Sequence, residues 1–296
     1  MPRDWEAQFR DWAKPPGKTE QDRCDNAASA VRNAITQSEK LRTRNVSVFG
    51  HGSYRNNTNV RKDSDVDVGI LCTDTLIPDL PPGMNRQDFQ LSAPTYLYEQ
   101  YKNEVERALV DYFGRPAVKR GNKAFDIHET RYHVEADVAA FFEHRRYLKD
   151  RTSLEGVALL TDKEKKRIIN WPEQHYKNGA RKNTDTGTRF KSIVRVLKSL
   201  SNEMSAAGIQ EAGVPGFLIE CLVWNVPNEH FQHSRYAADV RETLAFLFNN
   251  TLTHESCKEW AEVSELIYLF HPGQKWTWRQ AHAFTSVAWD YVGFEG

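Results

Sequence analysis

No stretch of the chain stays apolar for the roughly 20 residues a helix needs to cross a bilayer. The opening MPRDWEAQFRDW also lacks the apolar core of a secretory signal. A cytoplasmic protein with no membrane contact is therefore expected. Excess charge is absent too: Lys+Arg and Asp+Glu both number 40, for a formal net charge of zero. That balance argues against constitutive binding of long nucleic acid, although it leaves room for a local basic patch. Cysteine is scarce, with 4 in 296 residues (Cys24, Cys72, Cys221, Cys257). No C-x-x-C pair and no histidine at finger spacing accompanies them, so a zinc finger or disulfide framework is excluded and a reducing compartment fits. Internal repeats and low-complexity tracts are missing as well. What is present is a globular composition, 40% hydrophobic and 27% charged, with 8 Trp, 15 Phe and 11 Tyr. It suffices for two lobes or one large domain.

The most informative stretch is FGHGSYRNNTNVRKDSDVDVGIL. A strand over 46–50 breaks at Gly52-Ser53, a polar loop follows, and a second strand begins at Val66 beside two carboxylates. On an extended chain Asp65 and Asp67 point to one face while Val66 and Val68 point to the other. Two carboxylates projecting together favour a cation between them. Hard oxygen ligands beside a small-residue turn suit Mg²⁺ and a polyphosphate. Glycine lets the backbone approach a phosphate, and the turn amides and Ser53 hydroxyl can donate to its oxygens.

A third strand, Tyr132 to Ala140, puts His133, Glu135 and Asp137 on one face by the period of two. If it lies beside the Asp65/Asp67 strand, Asp137 completes a three-carboxylate cluster able to hold two Mg²⁺ about 4 Å apart for in-line phosphoryl transfer. Asp137 is then placed to help deprotonate an attacking hydroxyl. The alternative is that Glu135 and Asp137 sit on a solvated sheet face. His51, His128 and His133 read as structural residues.

Elsewhere the pattern predicts a polar helix over 19–43 and a second helix over 95–113 ending at Gly114. Strands are expected at 117–119, 124–128 and 132–140, antiparallel, with a Gly121-Asn122 turn. Helices are expected at 188–205, 215–225, 235–249, 256–269 and 277–292. The division that follows is 1–160, mixed α and β, and 161–296, helical. On the 188–205 helix Phe190, Ile193, Val194 and Leu197 form the buried stripe, and Lys191, Arg195 and Lys198 form a basic ridge.

The motif G-S-Y-x(n)-S-D-V-D-V with a later strand aspartate resembles the polymerase β-type nucleotidyltransferase superfamily. The lead-in helix, the length and the helical second half narrow the resemblance to the CD-NTases, bacterial relatives of cGAS and 2′-5′-oligoadenylate synthetase in antiphage CBASS systems. It covers residues 15 to about 290. It implies an α+β fold: a polymerase β-like core plus a C-terminal helical lobe, bilobal with a central cleft. It also implies an Mg²⁺-dependent enzyme, with Mn²⁺ as a substitute, that makes a cyclic di- or oligonucleotide messenger from NTPs, ATP among them. Asp65, Asp67 and Asp137 would be the metal-binding catalytic residues.

Two further site residues come from the same resemblance. A lysine on the family's matching helix reaches the triphosphate, and Lys198 matches it best; a solvated basic face is the alternative. Val214 to Glu220 is similar to the family's P-S-[FY]-x-x-E stretch, whose aromatic stacks on a base. Phe217 takes that place, with a plain core phenylalanine as the alternative, while Gly216 departs from the family's phosphate-binding serine. The resemblance implies a downstream effector and a ligase-like or regulatory operon partner, the latter through conjugation of Gly296. Two rivals remain: transfer to another acceptor (an antibiotic, a protein or an RNA end), or a non-catalytic module that binds nucleotide or partners a toxin.

Overall fold

The computed structural model describes residues 3–60, 66–129 and 134–294. Asp65, His133 and Gly296 lie outside them. The chain forms two compact units, each discontinuous in sequence: Gly17–Arg55 with Asp63–Pro172, and Met1–Pro16 with Asn56–Lys62 and Glu173–Gly296. The first element, α1 (Trp5–Trp12), belongs to the second unit. The sheet unit starts with α2 (Lys18–Gln37), β1 (Val46–Gly50), α3 (Gly52–Asn56), β2 (Val66–Asp79) and α4 (Tyr98–Phe113). It continues with β3 (Val118–Arg120), β4 (Phe125–Glu129), β5 (Val134–Tyr147), β6 (Ser153–Leu160) and β7 (Arg167–Asn170).

The strands form one mixed sheet in the order β1-β2-β5-β4-β3, with β6 paired to the second half of β5 and β7 paired to β6. β2 and β5 are parallel, and the crossover between them contains α4 and the β3–β4 hairpin. Alternation decides which face meets the helices. Val66, Val68, Ile70 and Cys72 of β2, with Ala136, Val138 and Ala140 of β5, are buried in one core with Ala27, Val31, Ala34 and Ile35 of α2 and Tyr101, Val105, Ala108 and Leu109 of α4. Both helices repeat their apolar residues at three- and four-residue steps, giving each a single buried stripe. Each fully buried Val, Ile or Leu side chain there contributes about 1.5–3 kcal/mol. The tyrosines also satisfy sheet carbonyls: Tyr98 donates to Ala140 O and Tyr101 to Ile70 O, both at 2.8 Å. Burial pushes both phenols above the ordinary value, which keeps them protonated donors.

Four boundaries differ from expectation. The strand expected over 132–140 continues to Tyr147 as β5, because its second half pairs with β6. α2 stops at Gln37 and a 3₁₀ turn follows at Leu41–Thr43; the Ser38 hydroxyl accepts from Leu41 N at 3.3 Å, a local bond that competes with continued helix. The sheet runs beyond residue 160, through β7 to Asn170. The helix expected over 256–269 is only α9 (His254–Cys257), followed by an extended loop with an Ala261–Tyr268 bridge. There the Asn225 amide holds Ala261 N at 3.2 Å and Ala261 O at 2.8 Å, so those backbone groups are taken from any helix.

The helical unit adds α5 (Pro172–Asp185), α6 (Arg189–Ala206), α7 (Gly216–Trp224), α8 (Tyr236–Asn250) and α10 (Trp278–Val292). Its core gathers Phe9 of α1, Phe190, Ile193, Leu197 and Leu200 of α6, Leu218 and Leu222 of α7, Leu244 of α8 and Phe284 of α10. Residues 56–60, part of a polar loop on sequence grounds, belong to this unit, with Thr58, Asn59 and Val60 buried. Arg195 accounts for part of that burial. Its guanidinium donates to Ala13 O (2.9 and 2.6 Å) and Asn57 O (2.6 Å), so it is a buried tie between segments rather than part of a basic ridge. Among the described residues no helix is long and apolar enough to cross a membrane.

Candidate active site

In the sheet unit the site is built around the end of β1. His51 N donates to Asp67 O at 2.9 Å, carrying the β1–β2 ladder to its last residue. The chain then turns at Gly52, whose φ of +62° favours glycine. A β-carbon there would fall 2.0 Å from Asp67 Oδ2 and 2.7 Å from its Cγ. The turn therefore presses on the Asp67 carboxylate, and only glycine leaves room for it. Ser53 follows as the second residue of α3, half-buried. The His51 ring packs between Phe49 (6.0 Å) and Phe141 (5.6 Å), as a structural side chain does.

Asp67 is in register with Asp137 on the neighbouring parallel strand. Residues paired this way project to the same face of a sheet, here the face opposite the helix-covered core. On its other side Asp137 is in register with Asp126 of β4, and Asp126 with Lys119 of β3. The row Asp67–Asp137–Asp126 thus spans three strands. Asp126 is not singled out by the sequence; the burial of Phe125 and Ile127 and the register of β4 with β5 put it on the face that bears Asp137.

Among the described residues no three His, Cys, Asp or Glu side chains converge as a metal site. Asp67 and Asp137 supply two hard-oxygen donors, and Asp65, the third expected ligand, lies outside the described residues. Two carboxylates side by side on adjacent strands repel unless a cation lies with them, so the donor set fits a divalent ion such as Mg²⁺.

In the helical unit the expected triphosphate lysine, Lys198, is 5% exposed. Its Nζ lies 3.5 Å from Glu220 Oε2 and 3.5 Å from Thr58 Oγ1. Thr58 donates to the same Oε2 at 2.7 Å, and His175 Nε2 meets Oε1 at 2.8 Å. Burial alone would push the Glu220 carboxyl up, but the charges of His175 and Lys198 and the hydrogen bonds from His175 and Thr58 hold it down to about 2. Gly216 has a reason to depart from serine: a β-carbon there would sit 3.3 Å from Lys198 Cε and 3.7 Å from its Nζ. Phe217 is not a core side chain. It is 38% exposed, with its ring 5.7 Å from His175 and 5.8 Å from Trp276. Lys191 is half-buried beside Tyr176, and burial lowers its pKa. Thr58, His175 and Trp276 carried no sequence signal, because each becomes informative only through its neighbours.

A profile of the cGAS/DncV-like nucleotidyltransferase C-terminal helical domain matches residues 177–293. The cyclic dipyrimidine nucleotide synthase CdnE of Cecembia lonarensis is 40% identical, over 98% of this chain and 98% of that protein. The protein of the same name from Legionella pneumophila is 41% identical, again with 98% of each covered. Among solved structures, the CdnE c-UMP-AMP synthase of Rhodothermus marinus with Apcpp and Upnpp superposes with a TM-score of 0.86 at 26% identity, covering 98% of both chains. The chain belongs to the CD-NTase family of cGAS/DncV-like nucleotidyltransferases. Its mixed sheet with helices is that family's α+β fold, and it is a nucleotidyltransferase.

Proposed function

We propose that the protein joins two NTPs into a cyclic dinucleotide with at least one pyrimidine, a second messenger of CBASS antiphage signalling read by a downstream effector. The observation that carries the chemistry is the register of Asp67 with Asp137 beneath the Gly52 turn. The product class rests on relatives named as cyclic dipyrimidine synthases over 98% of the chain. Four buried free cysteines support a reducing, cytoplasmic setting.

In this reading Asp65, Asp67 and Asp137 hold two Mg²⁺, with Mn²⁺ able to replace them. Bound there, Mg²⁺ supplies neutralisation of the triphosphate and a lowered pKa for the attacking ribose hydroxyl. The turn amide at Gly52 and the Ser53 hydroxyl donate to phosphate oxygens, and Lys198 supplies a cation to the triphosphate. Asp137 accepts the hydroxyl proton as the ribose oxygen bonds to the α-phosphorus and pyrophosphate leaves. Phe217 offers a face on which a base stacks. A second transfer, from the other triphosphate to the free hydroxyl of the linear intermediate, closes the ring and releases a second pyrophosphate.

Labelled NTPs supplied with Mg²⁺ and no added acceptor test the proposal. A phosphatase-resistant cyclic product is expected from the wild type and none from Asp65→Asn/Asp67→Asn or Asp137→Asn variants that still fold. Undiminished product from those variants sinks the mechanism, and turnover only with an added acceptor sinks the product assignment.

A further inference from the structure

We infer that Glu220 is a positioning residue: a single buried carboxylate sets both the lysine that meets the triphosphate and the aromatic face that meets the base. The inference rests on the roles proposed above for Lys198 and Phe217.

Gly216, Phe217 and Glu220 fall within the first five residues of α7. Glu220 is three residues beyond Phe217 and four beyond Gly216, so all three lie along one side of the helix. Both carboxylate oxygens are engaged. Oε1 meets His175 Nε2 at 2.8 Å, and Oε2 accepts from the Thr58 hydroxyl at 2.7 Å with the Lys198 ammonium at 3.5 Å. A carboxylate that is 3% exposed exists as a charge only because these partners surround it.

Lys198 is held in direction but not tightly. Its contacts to Glu220 and Thr58 are both 3.5 Å, against about 2.7–2.9 Å for a strong charge-assisted bond. An ammonium has three donors, so an incoming phosphate oxygen can compete for it. Gly216 completes the arrangement: its missing side chain leaves the lysine stem lying along the helix start, 3.3 Å (Cε) and 3.6 Å (Cδ) from where a β-carbon would be. A serine there would meet that stem. The glycine and the glutamate thus act together on one lysine.

The same carboxylate reaches the aromatic face through His175. That imidazole bonds Oε1 and its ring lies 5.7 Å from Phe217, which in turn lies 5.8 Å from Trp276. Glu220 fixes the imidazole, and the imidazole backs the half-exposed ring. Thr58 brings in a third segment, the one that follows Gly52-Ser53 in the chain.

The test is a set of NTP kinetics with melting curves on wild type, Thr58→Val, Thr58→Ser, Glu220→Gln, Lys198→Met and the pairwise combinations with Lys198→Met. Thr58→Val keeps shape and removes only the hydroxyl. It is expected to raise the NTP KM by about fivefold with kcat within about twofold, and Thr58→Ser to restore it. Glu220→Gln and Lys198→Met are each expected to raise KM by about tenfold or more, and the double variant by less than about twofold beyond the worse single, because the two act as one unit. If Glu220→Gln fails to fold, the Thr58→Val/Lys198→Met pair decides by the same criterion. Additive effects, or lower melting temperatures with unchanged KM, overturn the role and leave Glu220 a structural anchor. A wild type that turns over no NTP overturns both this inference and the function on which it rests; a wild type that turns over NTP with additive variants overturns this inference alone.

Discussion

Gly52 stands so close to Asp67 that a β-carbon on the glycine would overlap the carboxylate, 2.0 Å from Oδ2. Its φ of +62° adds a backbone reason for glycine. Gly52→Ala is therefore expected to displace Asp67 and to reduce nucleotidyl transfer by about a hundredfold or more, since small misplacements of reacting groups cost that much. The stability loss should be only about 1–2 kcal/mol, the cost of a left-handed alanine. Initial rates and thermal melts on one preparation check this; an alanine variant with near wild-type rates would remove Gly52 from the site.

Phe217 is exposed and flanked by two rings, so trimming it removes a surface rather than a piece of core. Phe217→Ala should weaken NTP binding by about 1–3 kcal/mol, the usual worth of one base–aromatic stack, while melting changes little. Phe217→Trp should preserve binding. Titration with a non-hydrolysable NTP analogue measures it, and equal affinity for alanine and wild type would return Phe217 to a packing role.

Arg195 is expected to matter for stability. It is buried and its guanidinium serves the carbonyls of Ala13 and Asn57. Arg195→Met should lower the unfolding free energy by about 3 kcal/mol through unsatisfied carbonyls and lost charge-assisted bonds. Arg195→Lys should recover little, because one ammonium does not reproduce a fork of donors. Denaturant unfolding reads both; a loss below about 1 kcal/mol for methionine would show that water replaces the guanidinium.

Glu262 introduces a pH dependence. Burial pushes its carboxyl up to about 7 from an ordinary 4.5, against smaller lowering effects of the Gln274 hydrogen bond and of His175. Gln274 Nε2 donates to its Oε1 at 2.6 Å. A carboxyl whose folded pKa lies above its unfolded one contributes stability in full below 4.5 and loses it as pH rises through 7. Relative to Glu262→Gln, the wild type should lose on the order of 3 kcal/mol across that window. Melting of both proteins between acid and mildly alkaline pH tests it, and parallel curves would mean that Glu262 titrates normally.

Much of the sheet unit was legible because its signals are local. The alternation around Asp67 and Asp137 and the three- and four-residue steps of α4 each depend on neighbours within a turn or two. The pairing of β2 with β5 was not legible. A period of two says which face Asp137 takes, not which strand lies beside it, and Asp126 was passed over for the same reason. Residues 56–60 differ from expectation in the opposite way. Their polarity suggests a polar loop, yet Thr58 is buried because Glu220 accepts its hydrogen bond, and Asn57 O is paired because Arg195 reaches it. The helix expected at 256–269 failed because the Asn225 side chain, distant in sequence, captures Ala261.

By itself the sequence determined the class of protein: a glycine-serine turn, two aspartates spaced two apart in sequence and a later strand aspartate carry the nucleotidyltransferase pattern, because that pattern depends only on residue type and local spacing. Tertiary structure decided the rest. It put Asp137 in register with Asp67, pressed Gly52 against that carboxylate, turned a ridge arginine inward, and joined Lys198, Thr58 and His175 on Glu220. The physical reason is that a buried charge or hydroxyl must find partners wherever the fold supplies them, and those partners lie far away along the chain.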